Sequence, residues 1–154
     1  MKTLAPRLAA SAAAAAVITA LLVTAPVADA RDTLQKLSLS SALEKAQASG
    51  KLAPGIKLFW GSQKYPTPTA KLGETRTNKK TNFFNKTDVE GCEWAFLSAM
   101  ISLTQDAQRR GGNAIVNIRS NYRNNLFSSE TEYECGAGNV TGGTAFVGDI
   151  VKLP

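Results

Sequence analysis

The chain has 154 residues, with 18 Lys and Arg against 12 Asp and Glu, two Cys and no His. The missing His excludes Ser-His and Cys-His nucleophile pairs, His-ligated zinc and imidazole acid–base work. Two Cys are too few for a zinc–thiolate cage, and there is no GxxxxGK[ST] phosphate loop.

The N-terminus is expected to be a cleaved export signal. Lys2 and Arg7 form a positive start, Leu8 to Val27 is uncharged and Ala-rich, and Ala28-Asp29-Ala30 fits a small-x-small cleavage site. The rival is a retained membrane anchor, because the apolar run is nearly long enough to span a bilayer. The many Ala residues, Pro26 and the cleavage motif favour cleavage over residues 1–30, with no membrane span afterwards. Residues 31–154 then form a single α+β domain of 124 residues with net charge +5. Arg31 to Glu90 holds 11 basic and 5 acidic residues, whereas Gly91 to Pro154 holds 5 and 6. An exported bacterial protein, periplasmic or secreted, with a basic first half points to an anionic envelope component or an envelope protein as partner. It does not point to nucleic acid.

In chain order, Arg31 to Ser49 carries a modest helix signal. Ser41 to Glu44 matches a capping box and Gly50 supplies a stop. Ile56, Leu58 and Trp60 alternate with Lys57 and Phe59, which predicts a short strand. Pro66 and Pro68 mark a loop, and Lys71 to Thr81 is a second, weaker strand. The strongest helix runs from about Asp88 to Arg110. Thr87 to Glu90 offers a capping box, Cys92, Phe96, Ala99, Leu103 and Ala107 form its buried stripe, and Gly111-Gly112 ends it.

A hairpin is expected next. Ala114, Val116, Ile118, Ser120 and Tyr122 share one face, and Asn117, Arg119, Asn121 and Arg123 the other. A turn centred on Asn125-Leu126 sets Arg119 opposite Glu132 and Asn121 opposite Glu130. Gly136, Gly138, Gly142 and Gly143 predict a bulge or sharp bend before an apolar strand from Thr144 to Val151. The expected fold is α+β: an antiparallel sheet of roughly three to five strands packed on one long helix, with a short N-terminal helix to one side.

The run Gly112-Asn113-Ala114-Ile115-Val116 after a helix, followed by Gly143-Thr144-Ala145-Phe146, resembles the YbjQ-like small-domain family. More distantly it is similar to RcsF-type periplasmic envelope-stress sensor domains. The likeness covers about residues 88–152. It implies a small α+β domain, with a sensing role from the second family and an oligomeric, metal-related module from the first. No residue here carries over as a metal ligand. The sensor domains are lipoproteins with two disulfides, whereas this chain has no Cys to lipidate and can form at most one disulfide.

Three groups are candidate sites. Cys92 and Cys135 suit a disulfide in an oxidising compartment, and closing that separation stabilises by about 4 kcal/mol. The simplest packing opposes it, with Cys135 about 20 Å along a strand parallel to the helix. A glycine-rich bend or a skewed helix would close the gap, and two buried thiols are the alternative. Lys79, Lys80 and Lys86 around Phe83 and Phe84 suit an anionic glycan or lipid headgroup. The plainer reading is a solvated loop with both Phe packed beneath it. Glu130, Glu132 and Glu134 are spaced about 6.6 Å apart along a strand. That is too wide for one cation, so cross-strand pairing is the simpler account.

No catalytic residue, metal or cofactor is assigned. The leading expectation is a non-enzymatic exported envelope protein that senses or binds. The alternatives are an oligomeric small-ligand or metal-binding module, and a partner-docking or inhibitor protein.

Overall fold

A computed structural model describes residues 31–154. The expected signal at residues 1–30 and its cleavage site lie outside the described residues. The elements are β1 (Asp32–Ser38), α1 (Leu39–Ala48), β2 (Lys57–Trp60), β3 (Ala70–Asn82), α2 (Asp88–Arg109), β4 (Ala114–Tyr122), β5 (Asn125–Phe127), β6 (Glu132–Gly138) and β7 (Thr141–Lys152).

The fold is α+β in general, but the expected antiparallel sheet of three to five strands on one long helix is wrong. Seven strands form one mixed sheet. β7 is its spine. One edge of β7 pairs with β3 from Thr141 to Lys152, and the other is shared by β6 at Gly142–Gly143 and β4 further along. β1 extends the sheet beyond β6, and β2 adds to β4 in parallel. A strand so polar as β3 carries little hydrophobic signal. Its stability comes from twelve cross-strand partners on β7, which sequence periodicity does not reveal.

The first helix is also shorter than expected. Asp32–Ser38 is a strand because it pairs with β6, and α1 starts at Leu39. Its N-cap is Ser38, whose hydroxyl accepts from the Ser41 amide, so the Ser41–Glu44 capping box is not the start. α2 matches its prediction. The Thr87 hydroxyl accepts from the Glu90 amide at 3.2 Å, and Gly111 takes φ +76 just past the last turn.

α2 lies on one face of the sheet. Phe96 packs against Tyr133 at 4.7 Å, Phe146 at 5.6 Å and Trp60 at 5.9 Å between ring centroids, all four buried. Ile115, Ile118 and Ile150 join this core. On the opposite face a smaller cluster holds Ala114, Val116, Val151 and Leu153 under Phe59 and Tyr65. The expected face Ala114–Val116–Ile118 is therefore split. Asn117 takes φ +52 in a bulge where both neighbouring registers shift, so Ile118 joins Ile115 rather than Val116.

The expected hairpin pairing fails for a related reason. The turn is Arg123-Asn124, both with positive φ, and it pairs Tyr122 with Asn125 and Ser120 with Phe127. Two left-handed central residues are the signature of the tight turn that matches strand twist. β5 ends after three residues, and β6 pairs with β1 instead of β4. Arg119 is thus not opposite Glu132, nor Asn121 opposite Glu130. Glu132 faces Ser38, and Glu134 faces Lys36 and is buried.

This rerouting brings the cysteines together. Phe83 wedges against Gly91 at the start of α2 and Gly142 at the start of β7, where a side chain on either glycine would overlap its ring. The first turn of α2 therefore sits over the β6–β7 turn. Cys92 and Cys135, both fully buried, form a disulfide with Cα atoms 5.9 Å apart. The 20 Å separation assumed a hairpin that does not form.

The far end of α2 is tied to β3 by polar contacts. Arg110 donates to the Glu74 carbonyl at 2.9 Å and to the Leu72 carbonyl. Asp106 accepts from the Thr75 hydroxyl at 2.7 Å, from Arg109 at 3.0 Å and from Arg110 at 3.2 Å. Burial alone raises the Asp106 carboxyl. The hydrogen bonds from Thr75, Arg110 and Arg109, with the Arg110 charge, outweigh it and hold the pKa below the usual value. A carboxyl depressed in the folded state stabilises the fold above its unfolded pKa, and that contribution is lost as pH falls through the folded one. Asp106→Asn is expected to be less stable than the parent at neutral pH, with the difference closing below about pH 4. Denaturant unfolding across pH checks this; a difference constant with pH contradicts it.

Candidate functional site

The structure disperses the basic-aromatic segment. Successive residues of β3 point to opposite faces. Thr75 and Thr77 are buried beneath α2 and Lys79 is half-buried on their side, whereas Asn78 and Lys80 are exposed on the open face. Phe83 is the buried wedge described above, so its ring is not available to a ligand. Phe84 is 64% exposed, with its amide donating to Asn82 Oδ1 at 2.7 Å. Lys86 Nζ donates to the Asn82 carbonyl at 3.0 Å. Of the five expected binding residues, only Lys80 lines a cavity on the open face.

That cavity, about 640 Å³, opens on the sheet face away from α2. Gly138, Gly142 and Gly143 form its floor, and Arg31, Asp32, Asn78, Lys80, Tyr122 and Arg123 stand around it. Pairing explains the meeting of residues so distant in sequence. Asp32 is opposite Gly138 on β6, Lys80 is opposite Gly143 on β7, and the β4–β5 turn carries Tyr122 and Arg123 over β6. The Tyr122 ring lies where a side chain at position 136 would stand, so Gly136 permits this approach.

Charge in the cavity is unbalanced. Arg123 pairs with Asp32, which also accepts from the Tyr122 hydroxyl at 3.3 Å, and Arg31 pairs with Asp88. Lys80 has no carboxylate partner among the described residues. Arg123 holds φ +52, a conformation that Asn or Gly adopts at less cost at a tight turn. Its guanidinium lies 5.6 Å from the Tyr122 ring centre. Three cations and one carboxylate stand around a glycine floor that is buried at Gly142 and Gly143 and half-buried at Gly138, and the cations can hold an anion by charge-assisted hydrogen bonds.

Arg31, Asp32, Tyr122 and Arg123 were not singled out from sequence. Nothing local marks them, because strand pairing alone brings them to Lys80. The glutamate row does not converge either. Glu130 contacts the Ser62 hydroxyl, Glu132 is exposed and Glu134 is buried. Among the described residues no group of three or more His, Cys, Asp or Glu could hold a metal ion, and no helix is long and apolar enough to cross a membrane. Comparison with protein-family models, curated proteins and solved structures finds no match.

Proposed function

We propose that this is a non-enzymatic, exported envelope protein that binds an anionic ligand on its open sheet face. The observation that carries this reading is Lys80, without a carboxylate partner among the described residues, beside Arg31 and Arg123 over the glycine floor of a cavity of about 640 Å³. That volume is in the range of small-ligand sites. A buried disulfide accords with an oxidising compartment. The RcsF-type resemblance adds a sensing role to the binding reading. The absence of His leaves no imidazole to activate a nucleophile.

The test is retention of envelope material by the immobilised protein, with elution by salt. Lys80→Glu is expected to retain about tenfold less anionic material than the parent, since a charge-assisted hydrogen bond lost from a site is worth at least that factor. Lys51→Glu, on an exposed loop away from the cavity, is expected to behave as the parent. Equal loss in both variants would reduce the effect to net charge and remove the cavity from the account.

A further inference from the structure

We infer that the open face takes an extended acidic glycan strand laid along β7, rather than one small anion. This rests on reading the face as an anion-binding site and names the class of ligand. The cavity at Lys80 does not stand alone. A second hollow of about 210 Å³ lies on the same face, between Glu74 and Arg76 of β3, which pair with each other, and Arg119 and Asn121 of β4. Strand register joins the two. Lys80 is opposite Gly143, Asn78 opposite Ala145 and Arg76 opposite Val147, and Arg119 flanks Val147 from the other side. These alternate positions share one face. The two hollows thus follow one another along β7, at Gly143 and at Val147.

The walls repeat a chemical pattern. Each hollow has a cation without a carboxylate partner among the described residues: Lys80 in the first and Arg119 in the second. These two cations stand beside Gly143 and Val147 of β7, four residues or about 13 Å apart along the strand. Asn78 lies between them, and Asn121 and Asn124 line the opposite wall. Cations at two stations with amides between them match a chain that alternates carboxylate and hydroxyl groups.

Charge reverses at the far end of the second hollow. Glu74 and Asp149 are directly opposite each other on β3 and β7, and Asp149 is held by the Asn117 amide at 2.9 Å. Glu74, paired with Arg76, already lines the second hollow and Asp149 lies beyond it, so the strand ends at Arg119. Nucleic acid fits less well. Single-strand grooves stack successive bases on several aromatic rings, and Tyr122 is the one aromatic residue lining these two hollows.

Calorimetric titration of the purified protein tests the assignment. The probes are a uronic-acid disaccharide, a long linear oligomer of the same sugar, a neutral oligosaccharide of matching length and an oligothymidylate of matching charge. The long acidic oligomer is expected to bind at least about tenfold tighter than the disaccharide, and the neutral one not at all. Lys80→Gln and Arg119→Gln are each expected to weaken the oligomer about tenfold or more, with circular dichroism confirming that both variants fold. Equal affinity for disaccharide and oligomer, with Arg119→Gln silent and Lys80→Gln damaging, overturns the extended strand and leaves the single-anion reading standing. Oligothymidylate binding as tightly as the glycan overturns the ligand class. No binding of any anionic probe overturns both readings.

Discussion

Phe96→Ala is expected to lower the unfolding free energy by about 3–5 kcal/mol, the usual cost of removing a buried aromatic side chain. Phe96 is fully buried at the middle of α2 and touches three aromatic rings that belong to β2, β6 and β7. Those strands come from distant parts of the chain, so the cavity left by the ring cannot close by a local shift. Tyr133 worsens the case. Its hydroxyl is buried without a hydrogen-bond partner among the described residues, and burial followed by the Glu93 charge pushes its pKa up. Urea unfolding monitored by circular dichroism gives the number. A loss under about 1 kcal/mol would mean that α2 is not the lid of the main core.

Removing the disulfide is expected to cost a similar amount. Cys92→Ala with Cys135→Ala opens a loop of 43 residues, worth about 4 kcal/mol in the chain-entropy account. Both positions are fully buried, so Ala avoids leaving an unpaired hydroxyl where Ser would. Domains of this size have about 5–15 kcal/mol in total, so the double variant approaches the threshold of folding. The parent in reductant is expected to fall to near the same midpoint once the buried bond is opened. Mass analysis after thiol alkylation without reductant is expected to show no added label. Phe96 is one helical turn from Cys92, so the two losses are expected to be non-additive when combined. Equal stability of parent and double variant would contradict the linkage of α2 to β6.

Local signals and long-range pairing divide this fold between them. α2 was legible to within a residue at either end because its stripe, cap and terminal glycine are all local in sequence. The turn after β4 was found but displaced by two residues, since Arg123 is not a residue type that signals a left-handed turn. That displacement changed every pairing downstream. It made the Arg119–Glu132 pair look natural and the Cys92–Cys135 bond look out of reach. The bulge at Asn117 did the same on a smaller scale, moving Ile118 from one face to the other. β1 was hidden because its partner, β6, lies about a hundred residues away.

The candidate site divides along the same line. Lys80 was visible from the basic run, but Phe83 was grouped with it only because the two are neighbours in sequence. In the fold Phe83 is a wedge between two glycines, and Lys80 stands on the opposite face of β3. The other cavity residues come from β1 and the β4–β5 turn.

By itself the sequence determined which chemistry is absent, where α2 begins and ends, and that two cysteines were available for one bond. Those properties depend on residue identity and on contacts within one or two turns. The tertiary structure decided that β7 is the spine, that the disulfide closes, and that Lys80, Arg31 and Arg123 share a cavity. The physical reason is register. A strand's side chains alternate with period two, so a single bulge or a turn moved by one residue reassigns every face beyond it.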